Sequence, residues 1–329
     1  MKDEYDEIDK IILYELNKNC RISDTKLAKI VKKSKEAVRY RIKKMLSSRA
    51  ISSYSVHINP AKLGNLGYKI YIRLREKEEL KNKFIEHLKR RKDVIWVCTG
   101  DGNWNMGITF YAKNHEEFYK HKNELFSKFQ NIVASQTIGL LVNVQEFTHK
   151  YLVPQDGYIK KLQEITTFEG YSNHEIDDLD KKIVSNLLEN GRIRLVELAS
   201  KCSSNIDTVR NRIKKLEKDG IIVAYVANIR TFALGFEFYK SFLYFEGLDK
   251  EKETKFYNYC KTHPNIVAYV RVIAPWDVEL EIVAKNYREY LSIINGLKKE
   301  FVGSIASAEF MVLERNTLYP AREKIFENE

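Results

Sequence analysis

The sequence predicts an α+β protein built from two head-to-tail copies of one unit, each a winged helix-turn-helix followed by a ferredoxin-like βαββαβ domain. Three observations carry this. At 329 residues the chain exceeds one small domain and has room for several cores. Sliding it against itself by 171 residues aligns 8–54 with 179–225 without a gap, and 17 of the 47 pairs are identical; residue frequencies alone give about three. Within each half the apolar period then changes from helical to strand-like in the same order.

In the first copy, Asp6 is placed to cap a helix whose inward positions are Ile8, Ile11, Ile12 and Leu16, ending near Asn19. Ser23 caps a second helix carrying Leu27, Ala28, Ile30 and Val31, and Ser34 caps a third with Val38, Ile42 and Met45 inward. Three short helices with a tight turn between the last two make a helix-turn-helix. Residues 50–58 alternate as a strand and are expected to form the wing. Strands and helices then follow at Tyr68–Leu74, 78–91, 93–98, 104–111, 114–129 and 132–147, with a Gly-rich turn between the two middle strands. The second copy repeats them at Tyr239–Phe245, 249–262, 265–273, 277–284, 286–301 and 303–314. The similarity persists there with a one-residue shift, matching Val94 to Ile266, Trp104 to Trp276 and Ala112 to Ala284. One face of a βαββαβ sheet needs cover, so pairing with a second copy is expected. The resulting domain boundaries are 1–60 and 176–231 for the helix-turn-helix units and 61–150 and 232–329 for the ferredoxin-like domains. A linker at 151–175 has room for a short helix around Tyr158–Ile165.

The net charge of +11 has a location. Residues 32–49 hold eight Lys/Arg against one acid, and 201–218 hold six against two, so these two windows account for the whole excess. A basic surplus confined to both third helices is the footprint of sites for a phosphate backbone. With Val38 at the centre of the buried face, the opposite face carries Glu36, Arg39, Tyr40, Lys43 and Lys44; in the second copy it carries Asp207, Arg210, Asn211, Lys214 and Lys215. Long cations for phosphates or guanine edges thus stand beside groups able to read bases. Ser34, Arg39, Tyr40, Lys43, Lys44, Arg210, Asn211, Lys214 and Lys215 are the candidate DNA contacts, with double-stranded DNA as partner.

Other function classes find no support. Cys20, Cys98, Cys202 and Cys260 form no CxxC pair and the seven histidines form no ligand-spaced cluster with them, so neither a disulfide framework nor a metal site is expected. The amino terminus is acidic and polar and no apolar run approaches membrane-span length, which together predict a cytoplasmic protein with no membrane partner. No nucleophile triad, phosphate loop or dinucleotide fingerprint is present, so neither an enzyme nor a cofactor is expected.

The stretches IDKIILYELNKNCRISDTKLAKIVKKSKEAVRYRIKKM and ISSYSVHINPAKLG, with their second-copy counterparts from LDKKIV to TFALG, resemble the Lrp/AsnC, or feast/famine, transcription regulators over nearly the whole chain, twice. The resemblance implies that the ferredoxin-like domains pair subunits into a homo-oligomer. It also implies an amino-acid-like effector bound near a Thr-Gly-containing loop, which here points to Thr99, Gly100 and Asp101. The second copy reads Arg271-Val272 at that point but keeps Trp276-Asp277. As local chemistry, Thr99–Asp101 equally describes a tight turn, and Trp104 and Trp276 suit core or interface positions. A duplicated chain carries two recognition helices of unequal sequence, suited to an asymmetric palindrome with half-sites about 34 Å apart or a multiple. Siroheme decarboxylases resemble the same fused two-domain fold and supply the alternative of a tetrapyrrole enzyme. Their HxYxR-like pattern at the second ferredoxin-like strand is met by Val94-Ile95-Trp96-Val97-Cys98 in one copy and Ala268-Tyr269-Val270-Arg271 in the other, without a histidine in either.

Overall fold

The computed structural model describes residues 5–91, 93–154 and 163–318. The first unit runs α1 (Glu7–Lys18), α2 (Asp24–Val31), α3 (Lys35–Ser47), β1 (Ile51–Ile58), β2 (Leu66–Leu74), α4 (Glu78–Arg90), β3 (Val94–Gly102), β4 (Met106–Ala112), α5 (His115–Phe129) and β5 (Val133–Phe147). A connecting strand, β6 (Glu164–Phe168), leads to the second: α6 (Asp178–Glu189), α7 (Leu195–Lys201), α8 (Ile206–Lys218), β7 (Ile222–Ile229), β8 (Glu237–Phe245), α9 (Lys250–Thr262), β9 (Ile266–Ile273), β10 (Val278–Ala284), α10 (Tyr287–Glu300) and β11 (Ile305–Leu318).

The helix starts follow local chemistry. Asp6 and Asp9 form a reciprocal capping box on α1, and the Ser23 and Ser34 side chains accept from the backbone of Lys26 and Ala37 at the starts of α2 and α3. The inward residues of α1–α3, among them Ile12, Leu16, Leu27, Val38, Ile42 and Met45, are buried in one core. Each helix-turn-helix core is nonetheless completed by the other unit. Ala227 of β7 is buried in the first, and Val56 and Ile58 of β1 in the second. The reason is the pairing of β1, antiparallel, with β7. The strand expected to serve as a wing for its own helices is therefore half of a two-stranded ribbon shared between the units.

The ferredoxin-like sheets have the strand orders β5-β2-β4-β3 and β11-β8-β10-β9. Each final strand runs on into the other unit: β11 pairs with β3 from Met311↔Gly102 to Leu318↔Trp96, and β5 pairs with β9 from Leu140↔Ile273 to Glu146↔Ala268. The eight strands thus close into a circuit with helices α4, α5, α9 and α10 outside. Alternation sends Tyr68, Ile70 and Ile72 of β2 outward to the helix-side core and Lys69 and Tyr71 inward. Tyr71, Trp96, Cys98, Phe242, Val272, Trp276 and Met311 fill the interior. The sheet-to-sheet pairing expected of a homo-oligomer is consequently made inside one chain.

Two local expectations are corrected. The Gly-rich turn is shorter than expected, because the β3–β11 ladder keeps residues through Gly102 extended. In the linker, 164–168 is a strand on β5 instead of the end of a helix; residues 158–162 of that expected helix lie outside the described residues. No described helix is long and apolar enough to cross a membrane, and no group of three or more metal-ligating residues stands together among the described residues. The four cysteines are buried and unpaired.

Candidate nucleic-acid interface

On α3, Val38, Ile42 and Met45 are buried while Arg39, Tyr40, Lys43 and Lys44 face solvent; on α8, Val209, Ile213 and Leu216 are buried while Arg210, Asn211, Lys214 and Lys215 face solvent. Tyr40 is 72% exposed, its ring and hydroxyl open to solvent on the same face as Arg39 and Lys43. Ser34 is exposed and spends its hydroxyl on the α3 cap, 3.1 Å from the Ala37 N–H. Asn205 makes the same cap at α8.

The cations divide into two kinds. Arg41 reaches back to Asp6 and Asp9 of the first helix, at 2.9 and 2.8 Å, and Arg212 does the same to Asp177 and Asp180, at 2.6 and 3.1 Å. Burial raises the pKa of Asp6, but the Asp9 backbone N–H and the Arg41 guanidinium outweigh it and hold the carboxyl below its usual range. These two arginines lock the third helix to the first and account for the Asp9/Asp180 and Arg41/Arg212 identities in the repeat. Arg39 and Arg210 occupy exposed pairs, with Asp24 at 2.8 Å and with Asp207 respectively. Lys44 lies 5.8 Å over the Tyr5 ring, and Lys215 acts on the field at Asp180. Lys43 and Lys214 make no ion pair among the described residues and stand on equivalent turns of the two helices.

Beside α3 two arginines related by the repeat cross between the units. Arg21, at the α1–α2 turn, donates to the Ile193 carbonyl at 3.0 Å and lies 4.8 Å over Tyr225; Arg192, its repeat partner, donates to the Ile22 carbonyl at 3.2 Å and lies 5.2 Å over Tyr54. Asp24 bridges Arg39 and Arg192 at 2.8 and 3.2 Å. Burial works against its charge, yet those two guanidiniums keep its carboxyl below the ordinary pKa. A pocket of about 420 Å³ opens here. The Arg21/Arg192 identity was the available signal, but the repeat shows only that the residues correspond, and the fold alone makes them cross between units.

Thr99, Gly100 and Asp101 lie on β3 in the ladder to β11, opposite Arg315, Leu313 and Val312. Thr99 is buried, and a Cβ on Gly100 would come within 1.9 Å of the Val312 carbonyl oxygen. Asp101 is exposed. Trp276 is buried and the partly buried Trp104 stands 6.4 Å from it, ring to ring, as core and interface aromatics. At the strand where the decarboxylase pattern would fall, Tyr269 sits in the core between sheet and helices, and Arg271 is held by Glu253 and lies over Tyr257 and Tyr269.

Residues 6–46 match the family model of the AsnC-type helix-turn-helix domain, and 176–223 match a winged helix-turn-helix DNA-binding model. An uncharacterized HTH-type transcriptional regulator of Pyrococcus furiosus is 30% identical over 149 residues, covering 43% of this chain and 95% of that protein. The HTH-type regulator FL11 of the same organism is 29% identical over 134 residues, 41% of this chain and 84% of that protein. A shorter match, 44% identical over 63 residues to another P. furiosus regulator, spans 19% of this chain and under half of that protein, 43%. Among solved structures, the siroheme decarboxylase NirDL superposes with a TM-score of 0.63 at 12% identity, over 98% of this chain and 97% of that one, and so shares the fold of the whole two-unit chain. With an AsnC-type helix-turn-helix and a relative matched over nearly its full length, the chain belongs to the Lrp/AsnC family of transcription regulators, as a tandem duplication.

Proposed function

We propose that the chain is a sequence-specific double-stranded DNA-binding regulator that reads its site with α3 and α8. The observation that carries this is the pair of exposed, acid-free lysines, Lys43 and Lys214, at equivalent positions on two helices tied together by one β-ribbon. Arg39 and Arg210 are the base readers in this reading, with Tyr40 and Asn211 making the two half-sites unequal. Leaving Asp24 or Asp207 costs each arginine an exposed pair worth at most about 1 kcal/mol, less than the roughly 1–3 kcal/mol of a bidentate guanine contact. Ser34 positions α3 through its cap, while Lys44 and Lys215 add phosphate contacts.

Gel-shift titration over genomic fragments tests the proposal. Arg39→Ala or Arg210→Ala should each weaken specific binding by about 1–3 kcal/mol, and a Lys43→Ala/Lys214→Ala variant should weaken all sequences and flatten the salt dependence by about two. Unchanged affinity in all three removes these helices as readers. An amino-acid-like effector would depend on Asp101, since Thr99 and Gly100 are enclosed by the seam. The absence of a thermal shift across the amino acids would remove sensing and leave DNA binding standing. The enzyme alternative rests on likeness of fold, and absorbance after incubation with siroheme separates it from the regulator.

A further inference from the structure

The pocket between the two helix-turn-helix units has no counterpart in a single unit. Its walls come from the α1–α2 turn (Arg21 to Thr25), the start of α3 (Lys35, Arg39) and the turn before α7 (Arg192 to Leu195). Five cations, Arg21, Lys35, Arg39, Arg192 and Arg194, face it, against one acid, Asp24. Arg21 and Arg192 are held in place by the reciprocal carbonyl bonds and by the Tyr225 and Tyr54 rings. Each guanidinium carries five N–H donors, more than those contacts use. Lys35 and Arg194 are exposed and make no ion pair among the described residues. Pre-placed arginine forks in a concave site with a large cationic excess suit a tetrahedral phosphate, because the forks match its geometry, it carries more negative charge than a single carboxylate, and the walls focus the field. The arrangement is asymmetric. Asp24 and Lys35 of the first unit correspond to Leu195 and Ile206 of the second, so the repeat does not supply the same charged walls a second time.

We propose that this inter-unit pocket binds a phosphate group, with Asp24 occupying Arg39 and Arg192 until the phosphate displaces its carboxylate from them. Two sources share that chemistry. One is a DNA backbone phosphate next to the groove occupied by α3, in which case the inference rests on the DNA-binding reading above. The other is a free phosphorylated small molecule, whose entry would free Arg39 from Asp24 and so couple the pocket to the recognition helix.

The full chain and its Lys35→Ala/Arg194→Ala and Asp24→Asn variants test this in two arms. In the first, DNA affinity is followed against chloride concentration; backbone binding predicts a log–log salt slope reduced by about one to two in the double variant, with the ranking of fragments unchanged. In the second, pyrophosphate is titrated calorimetrically without DNA; a free ligand predicts binding by the wild-type chain, loss of at least tenfold in the double variant, and tightening in Asp24→Asn. A change in either arm supports the pocket and names its source. A double variant with wild-type salt slope and unaltered pyrophosphate titration overturns it. Should the wild-type chain bind no fragment at all, the DNA reading fails by itself and the pyrophosphate arm alone decides the pocket.

Discussion

Glu279 is the residue on which the interior of the strand circuit turns. It is fully buried and accepts from Lys69 at 2.6 Å, Tyr71 at 2.8 Å and Trp276 at 3.3 Å, with Lys240 at 3.3 Å. Burial pushes its carboxyl up, and the two ammonium groups outweigh it and hold the carboxyl down. Lys69 pairs directly with this carboxylate, and burial outweighs it and lowers the lysine; Lys240 also has Glu281 at 2.8 Å, and the two acids overcome its burial and raise it. The lysines are repeat partners, whereas Glu279 and Glu281 come from the second unit only. Glu279→Ala should therefore cost about 3–5 kcal/mol, because it strands buried cations, with Glu279→Gln falling between it and wild type. Equilibrium urea unfolding measures this, and a cost below about 1 kcal/mol would show that the cluster tolerates an unpaired cation. In the sequence Lys69 is one polar residue in an apolar strand. Nothing local says that its face is enclosed.

Among the elements, β3 and β11 carry the largest difference between expectation and fold. Alternation and a Gly-rich stretch locate both strands in the sequence, but their register across units depends on contact between residues about 210 apart. Gly100 is the tightest point of that seam. Gly100→Ala should force the strands apart at the Val312 carbonyl and destabilise the protein by about 1–3 kcal/mol, read as a lowered urea midpoint; an unchanged midpoint would mean that the seam opens without cost. The helices were the most legible elements. Asp6, Ser23 and Ser34 cap where the sequence places them, since a cap is decided within four residues. The ribbon β1–β7 was legible as two strands and not as a pair, because strand alternation names a buried face and no partner.

At the scale of the whole molecule, the two units are interleaved: each helix-turn-helix borrows a strand, and each sheet borrows an edge. His149 sits where the first ferredoxin-like domain meets α1, its backbone N–H donating to Asn17 at 3.0 Å, and His263 closes α9. Burial lowers both imidazoles to about 4. Their folded pKa lies below the unfolded value near 6.5, so the unfolded chain binds protons that the folded chain refuses, and stability is lost as pH falls from about 6.5 toward 4. The melting temperature should drop over that window, and His149→Gln/His263→Gln should flatten the upper part of it; an equal slope in the variant would assign the loss to carboxylates. The sequence by itself determined the duplication, the helix-turn-helix units, the βαββαβ order and the basic faces of α3 and α8, because each is written in spacing over a few residues or in identity between halves. The tertiary structure alone decided that the copies pair with each other, that Arg41 and Arg212 are braces while Lys43 and Lys214 stay open, and that Arg21 and Arg192 meet across a pocket. Those outcomes depend on which distant surfaces bury one another, and no local pattern encodes that choice.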